Sequence, residues 1–492
     1  MKRREFVGAG LALSAAWPLR GWSAVLGNVG DGAAKSLDGR DLNLPGAAVA
    51  DFARGLRGDL LLQGNPAYDA RRRVWNGLFD RKPALIACCT GTADVRRAVD
   101  FAREHRLLTA VRAGGHSISG KSTCDGGIVI DLQNMQGVRV EPGTARAFLE
   151  AGSPLGLLDH ECAAFGFATT AGTVSHTGAA GLTLGGGFGR LGRRFGLTCD
   201  NALAFDLVTA DGHFLRATED ENADLLWGLR GGGGNFGVVT SIEYRIHRMD
   251  PIVLAGNLVW PMTKARDVLR YFRDNLASWP VEFFGEPALI GTPEGPILSM
   301  EVLWSGDRAK GEEILRPLRA FAGPVADSIA PKPYVEIQRS LDELTAFGKY
   351  YYVKNGFLNR LTDDGIDLAL DVFQRHPNEF LLFFDPVDGA YHRVAPDGSA
   401  FPNRGALYWL GMIAIWDSPE GAEAKIESLR AAWKDLVPLV QGFYTNLADA
   451  DEPLSAYREN YGANLDRLMA LKAKYDPMNL FRLNANVPPK AA

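Results

Sequence analysis

Arg112-Ala113-Gly114-Gly115-His116-Ser117, running on through Ile118-Ser119-Gly120, follows an extended apolar segment at 107–111. Glycines at the end of a strand let backbone N–H groups come close to a phosphate. The serines add hydroxyl donors. The histidine ring is a candidate nucleophile, base or attachment point for a cofactor. A tight glycine turn with a surface histidine has the same look, so the loop is read together with two further glycine clusters. Gly178-Ala179-Ala180-Gly181-Leu182-Thr183-Leu184-Gly185-Gly186-Gly187-Phe188-Gly189 carries no charge. Such a segment can lie along a planar ring or offer N–H groups to a diphosphate; a close helix–strand crossing is the competing reading. Trp227-Gly228-Leu229-Arg230-Gly231-Gly232-Gly233-Gly234-Asn235-Phe236-Gly237 runs into an alternating strand. The 56 glycines gather at 114–127, 178–196 and 228–237 and form no repeat. That placement suggests backbone packed against a large flat ligand. None of the clusters fits the Walker A pattern, and no GxGxxG opens a βαβ unit with a downstream acid. This argues against a nicotinamide Rossmann domain.

At 492 residues the chain exceeds the size at which one core usually stops growing, so two domains are expected. A net charge of −5 argues against nucleic acid as a partner. Lys2-Arg3-Arg4-Glu5-Phe6-Val7 and the apolar run at 6–17 read as an export signal of the twin-arginine type, too short to span a bilayer. An ordinary secretory signal with two arginines is the alternative, and cleavage after Ala16 or Ala24 is open. The expectation is a periplasmic or secreted protein with no membrane span once the signal is removed. Cys88, Cys89, Cys124, Cys162 and Cys199 form no CxxC and are odd in number, so no zinc site and no full disulfide framework is indicated. No histidine spacing suggests a metal.

The pattern predicts strand, helix and strand over residues 83–131, with the apolar stripe Val95, Ala98, Val99 and Ala102 on a helix capped at Thr92. Pro142-Gly143 turns a hairpin between 138–140 and 147–151, and Asp211-Gly212 turns a second after 203–209. Alternation at 238–246 adds another strand. Beyond residue 250, strands are predicted at 252–259, 298–304, 380–384 and 407–415, and helices at 265–276, 311–321 and 422–439. An antiparallel sheet covered on one face, with the other face roofing a ligand, accounts for this grouping. The fold class is α+β.

Several motifs in order then carry a resemblance. RAGGHS, GGIVIDL, TGAAGLTLGGGFGRLGRRFGLTCDN, VTADG and DLLWGLRGGGGNFGVVTS resemble the vanillyl-alcohol oxidase, or PCMH-type, FAD-binding domain. The tail, with Tyr461-Gly462-Ala463-Asn464, Arg467-Leu468 and Lys474-Tyr475-Asp476-Pro477, resembles the ending of its berberine-bridge-enzyme-like branch. The resemblance covers roughly 70–250 and 440–490. With the export signal and a Gly/Ala-rich linker taking up 1–49, it implies a two-part FAD-binding domain at 50–250 and 441–492, and an inserted substrate domain at 251–440.

The resemblance implies FAD bound covalently through His116, with Gly114, Gly115, Ser117 and Ser119 cradling the pyrophosphate. Arg112, Thr177, Gly178, Gly181, Leu184, Gly185, Gly186, Gly187 and Val238 are the further cofactor-binding candidates, with Asn484 and Asn486 lining the ring. Many relatives carry a second link from a cysteine. Val174 stands in its place, so a single link and a lower flavin potential are expected. Tyr444 is the candidate base, needing a cationic or hydrogen-bonding neighbour such as Lys354 or Arg404 because tyrosine titrates near 10. Its competing reading is a core aromatic. Tyr408 is a second candidate, with packing beside Trp409 as its competing reading. His176 and Arg404 are substrate candidates, although relatives often have His-Arg where Asn403-Arg404 stands. His176 equally could only bond within its loop.

The implied activity is hydride transfer from an alcohol or sugar C–H to FAD, with oxygen reduced to hydrogen peroxide. A dehydrogenase of a natural-product alcohol or amine, using another acceptor, is the alternative. A non-catalytic flavin- or ligand-binding protein is the alternative from another class.

Overall fold

The computed structural model describes residues 30–490. The expected export signal, with Arg3 and Arg4, lies outside them. β1 (Asp59–Leu62), β2 (Leu85–Cys88), β3 (Thr109–Arg112) and β4 (Ile128–Asp131) pair in the order β1-β2-β4-β3. The β2–β4 and β3–β4 ladders are parallel, which requires a crossover. The crossover from β2 to β3 is α1 (Thr92–Glu104), whose stripe Val95, Ala98, Val99 and Ala102 is buried. Gly91, rather than Thr92, occupies the cap position. Asp94 instead accepts the N–H groups of Arg57, Gly58 and Thr90, tying the helix start to the neighbouring loops.

A second, antiparallel sheet holds β5 (Val138–Glu141), β6 (Arg146–Glu150), β7 (Ala202–Thr209), β8 (Phe214–Ala217) and β9 (Gly237–Arg245), in the order β8-β7-β9-β6-β5. The second glycine cluster, with the short helix α2 (Ala179–Leu184), runs between β6 and β7. Both sheets share one core, and Tyr461, Leu468, Leu471, Leu480, Phe481 and Val487 of the C-terminal segment complete it. Lys472 locks that segment in place. Its buried ammonium donates to Asp476 (2.7 Å) and to the carbonyls of Asn235 (2.8 Å) and Phe481 (3.0 Å).

The third sheet has eight strands. Its main path joins Ala326–Asp327, β10 (Ile252–Pro261), β12 (Ile297–Trp304), β11 (Phe283–Ile290), β14 (Leu381–Pro386), β15 (Tyr408–Trp416) and β13 (Tyr350–Leu358), all antiparallel. One face packs on α3 (Ala265–Leu276), α4 (Arg308–Ala320), α5 (Asp363–Arg375) and α6 (Ala422–Leu436). The other face turns toward the glycine loops. The prediction for α3 matches in its bounds. The helix predicted at 311–321 begins earlier, because Asp307 accepts the Lys310 N–H and caps it. β11, β13 and α5 went unforeseen.

Arg193, between the glycine cluster and β7, clamps the third sheet to the first body. Its guanidinium pairs with Asp388 (2.5 and 3.0 Å) and donates to the carbonyls of Leu276, Trp279, Pro280 and Phe283. All five cysteines are buried and free, so no disulfide braces the described residues. No helix among them is long and apolar enough to cross a membrane.

Candidate functional site

The loop after β3 and the loop before α2 meet backbone to backbone. A Cβ on Gly114 would overlap the nitrogen and Cα of Gly178, and one on Gly178 would overlap Gly114. Gly115 turns with φ +73°, where a side chain is strained. Gly114→Ala must therefore push the loops apart. The expected cost is about 1–3 kcal/mol, with lower flavin content per protein, read as visible against ultraviolet absorbance.

That contact delivers His116 to His176. Their Nε2 and Nδ1 atoms stand 2.7 Å apart, and His116 Nδ1 is 3.4 Å from the Thr177 hydroxyl. Trp75 stacks on His116, and Phe347 meets it edge-on. Burial, and next the neighbouring His176, push the His116 pKa well below the ordinary histidine range. The ring is thus neutral near pH 7. With the proton on Nε2 shared toward His176, Nδ1 keeps a lone pair for bond formation. Ser175 anchors this loop, donating from its N–H (2.9 Å) and hydroxyl (2.6 Å) to Asp342. Val174 supplies no thiol beside it. Ser117 and Ser119 face each other at 3.4 Å, and Ser117 Oγ accepts the Lys121 N–H.

The residues fit FAD on two observations. Gly181 is exposed although its helix is otherwise largely buried, and nothing stands in front of it. Gly233 and Gly234 likewise face mostly open space, with Asn484 Nδ2 at the margin. The second observation is unmet polarity. Asn484 Oδ1 and Asn486 Oδ1 are buried acceptors without a partner in the protein, as are the hydroxyls of Ser122 and Thr123. Acceptors of this kind cost about 1–3 kcal/mol each if left unmet, and a heteroaromatic ring and a diphosphate chain have the polar atoms to meet them.

Other candidates lie differently. Gly185, Gly186 and Gly187 face Asn446, Phe401 and Thr198, so these three glycines serve close packing. Leu184 anchors the four-glycine loop, its carbonyl accepting the N–H groups of Gly231 (3.0 Å) and Gly233 (2.9 Å). Val238 sits in the first core. Arg112 is committed to Asp131 (2.5 Å), beneath the His116 loop rather than within it. Arg404 is committed to Asp200 (2.6 and 2.8 Å) and Ser399, and Lys354 to Asp449 and Glu452. Neither cation serves the Tyr444 hydroxyl.

Tyr444 is buried, and its hydroxyl accepts the Gly187 N–H (3.1 Å) and the Asn446 Nδ2 (2.7 Å). Its own N–H donates to Asn355 Oδ1 (2.7 Å), which also takes the Trp409 indole N–H (3.1 Å). Burial raises the Tyr444 pKa above its ordinary value, while the two donors oppose that rise. Phe188 and Trp409 stack on each other, and both meet Tyr444 edge-on. Tyr408 is not brought to this cluster. Strand alternation turns it to the helix-covered face, near Phe272, and burial pushes its pKa up to about 12. Sequence reasoning missed Asn355 and Asn446. Asn446 had a signal, lying two residues after Tyr444; Asn355, inside an aromatic strand, had only its polarity.

His116 and Tyr444 both lie where the glycine loops meet the third sheet, and this junction is the candidate cleft. Half-buried Ile413 and Leu447 touch both the aromatic cluster around Tyr444 and the one around Trp75.

Comparison with known proteins finds relatives along most of the chain. The FAD binding domain family matches residues 83–218, and the family described as berberine and berberine like matches 443–488. An FAD-linked oxidoreductase of Dictyostelium discoideum is 32% identical over 90% of this chain and 97% of its own length. The (R)-6-hydroxynicotine oxidase of Paenarthrobacter nicotinovorans is 29% identical, covering 89% and 98%. The crystal structure of 6-hydroxy-D-nicotine oxidase from Arthrobacter nicotinovorans superposes with a TM-score of 0.80 at 27% identity, covering 88% of this chain and 98% of that one.

Proposed function

The chain belongs to the berberine-like family of FAD-linked oxidoreductases, and from that premise we propose that it is an oxidase of a small hydroxyl- or amine-bearing molecule, with FAD held by one covalent link at His116. When bound, FAD supplies the acceptor for a hydride from the substrate C–H and passes the electrons to oxygen, giving hydrogen peroxide. His116 would hold the cofactor through Nδ1, with His176 occupying the other ring nitrogen. Gly114 and Gly178, whose backbones meet, would hold the diphosphate, and Asn484 and Asn486, whose side-chain carbonyls lack partners, would face the ring. Tyr444 takes the substrate's O–H or N–H proton at its phenolic oxygen. Gly187 N–H and Asn446 Nδ2 already point at that oxygen and favour its anionic form. Aromatic walls from Phe188 and Trp409 exclude water there.

The observation that supports this reading is the His116–His176 contact beside the glycine loops, with a doubly hydrogen-bonded Tyr444 under the same sheet. We further propose export through the twin-arginine route, which fits a protein folded around its cofactor before transport.

Acid precipitation tests the link. Wild-type protein is expected to give a yellow pellet. His116→Ala is expected to leave the colour in the supernatant, with lower turnover. A colourless wild-type pellet overturns the covalent link. Rapid reoxidation of the reduced enzyme in aerated buffer is expected of an oxidase; slow reoxidation makes it a dehydrogenase with another acceptor.

A further inference from the structure

We propose that Glu286, Asp385 and Trp409 form a cation subsite in the roof of the cleft, and that the substrate carries a protonated amine seated there. The inference rests on the oxidoreductase reading only for the word substrate; the subsite itself stands on geometry.

Glu301 of β12 pairs across the ladder with Glu286 of β11. The β11–β14 register, Ala288 opposite Phe383, places Glu286 opposite Asp385 two residues along. Asp385 in turn pairs with Trp409 of β15. Three carboxylates and an indole therefore form one rung across four adjacent strands, on the face turned away from the helices. Like charges directly opposite each other destabilise a sheet. Burying an unpaired carboxylate costs several kcal/mol more. Arg190 is the cation that reaches the rung, and Glu301 takes it in a two-pronged pair (2.7 and 3.2 Å). Its remaining N–H groups go to Gln338 and the Thr173 carbonyl. Asp385 is 2% exposed, and no donor reaches its Oδ1. A fold would not keep such a group there for its own stability.

Burial, and then Glu301, push the Glu286 pKa up to about 8, and Arg190 only partly offsets this. Burial, then Glu286 and Glu301, raise Asp385 as well, with Arg190 opposing and Asp388 adding to the rise. Tyr391, also facing Asp385, is held protonated by burial. Both carboxyls are therefore biased toward their protonated forms, and a cation seated beside them would oppose that bias.

What stands beside the carboxylates suits an organic cation. Phe383 meets Trp409 edge-on at 5.0 Å, and Phe188 stacks on Trp409 at 5.3 Å. Aromatic faces attract ammonium groups. Among the described residues no His, Cys, Asp or Glu group is arranged to hold a metal ion. Glu286 and Ala288 keep part of their surface uncovered, whereas Asp385 beside them is 2% exposed. Trp409 also meets Tyr444. An amine on the rung is therefore one ring away from the proposed proton acceptor.

Calorimetric titration of the purified holoprotein near neutral pH, with benzylammonium and with its neutral isostere benzyl alcohol, tests this. Benzylammonium is expected to bind at least about tenfold more tightly, a difference of about 1.4 kcal/mol. In E286Q/D385N that preference is expected to vanish, with benzyl alcohol binding unchanged. Because the exchange replaces two crowded, buried acids with neutral groups of the same shape, the melting temperature is expected not to fall. Equal binding of the two probes in wild type overturns the subsite. So does a preference that survives in the double variant, or a fall in melting temperature with both probes lost. The visible flavin spectrum of the same samples reports separately on the cofactor. Colourless protein that still prefers the cation keeps the subsite and removes the oxidase. Yellow protein without preference does the reverse.

Discussion

Tyr444→Phe is expected to lower kcat by about 10²–10⁴-fold, the range for losing a positioned proton acceptor, with KM little changed and flavin content intact. The reason is local. The ring of phenylalanine fills the same place between Phe188 and Trp409, so packing survives. Only the oxygen that receives the Gly187 and Asn446 donors is lost. A pH profile separates this from a packing effect. The Tyr444 hydroxyl is held above its ordinary value of 10.0, with burial the largest cause. Below that value its ionised fraction rises about tenfold per pH unit. The logarithm of kcat/KM is therefore expected to climb with unit slope through neutral and mildly alkaline pH, and the Phe variant is expected to lose that slope. Asn446→Ala removes one of the two donors that favour the anion. It acts as a positioning change, and is expected to lower the rate at each pH while keeping the slope. A flat wild-type profile would remove Tyr444 as the proton acceptor.

Arg193→Ala is expected to destabilise the protein by about 3–5 kcal/mol, the usual cost of breaking a buried ion pair from one side. Six hydrogen bonds are lost together, and Asp388 and four carbonyls lose the Arg193 guanidinium. The cost falls on the junction between the third sheet and the glycine loops. A shifted urea midpoint measures it. Removing Asp388 in the same chain is expected to recover part of the loss, because the two side chains act as one unit. A variant within about 0.5 kcal/mol of wild type, the range of neutral surface changes, would show that the clamp carries no weight.

Helices with a clear stripe were legible in the chain. α3 and the buried face of α1 follow from apolar spacing alone. β11 was hidden because Gly285-Glu286-Pro287 interrupts its apolar run and proline argues against an inner strand. Yet β11 is paired on both sides, and Pro287 lies opposite Met300 on one of them. β13, with Lys354 and Asn355 inside an aromatic run, was obscured in the same way. Both irregular strands carry polar side chains that the site uses, so the features that break the pattern are the ones that equip the cleft.

The order of glycine clusters, the histidine between them and the tyrosine near the tail are properties of the chain by itself. Backbone that must pass within hard contact of other backbone demands glycine at that spot, and this leaves a mark within a few residues, as at Gly114 and Gly178. Side-chain partnership leaves no such mark. Which cation is free, whether Tyr408 or Trp409 faces Tyr444, and that Glu286 meets Asp385 were decided by strand register and by pairings up to hundreds of residues apart, such as Arg404 with Asp200. A shift of one residue in a ladder turns every side chain to the other face, so only the assembled sheet could say which groups share the cleft.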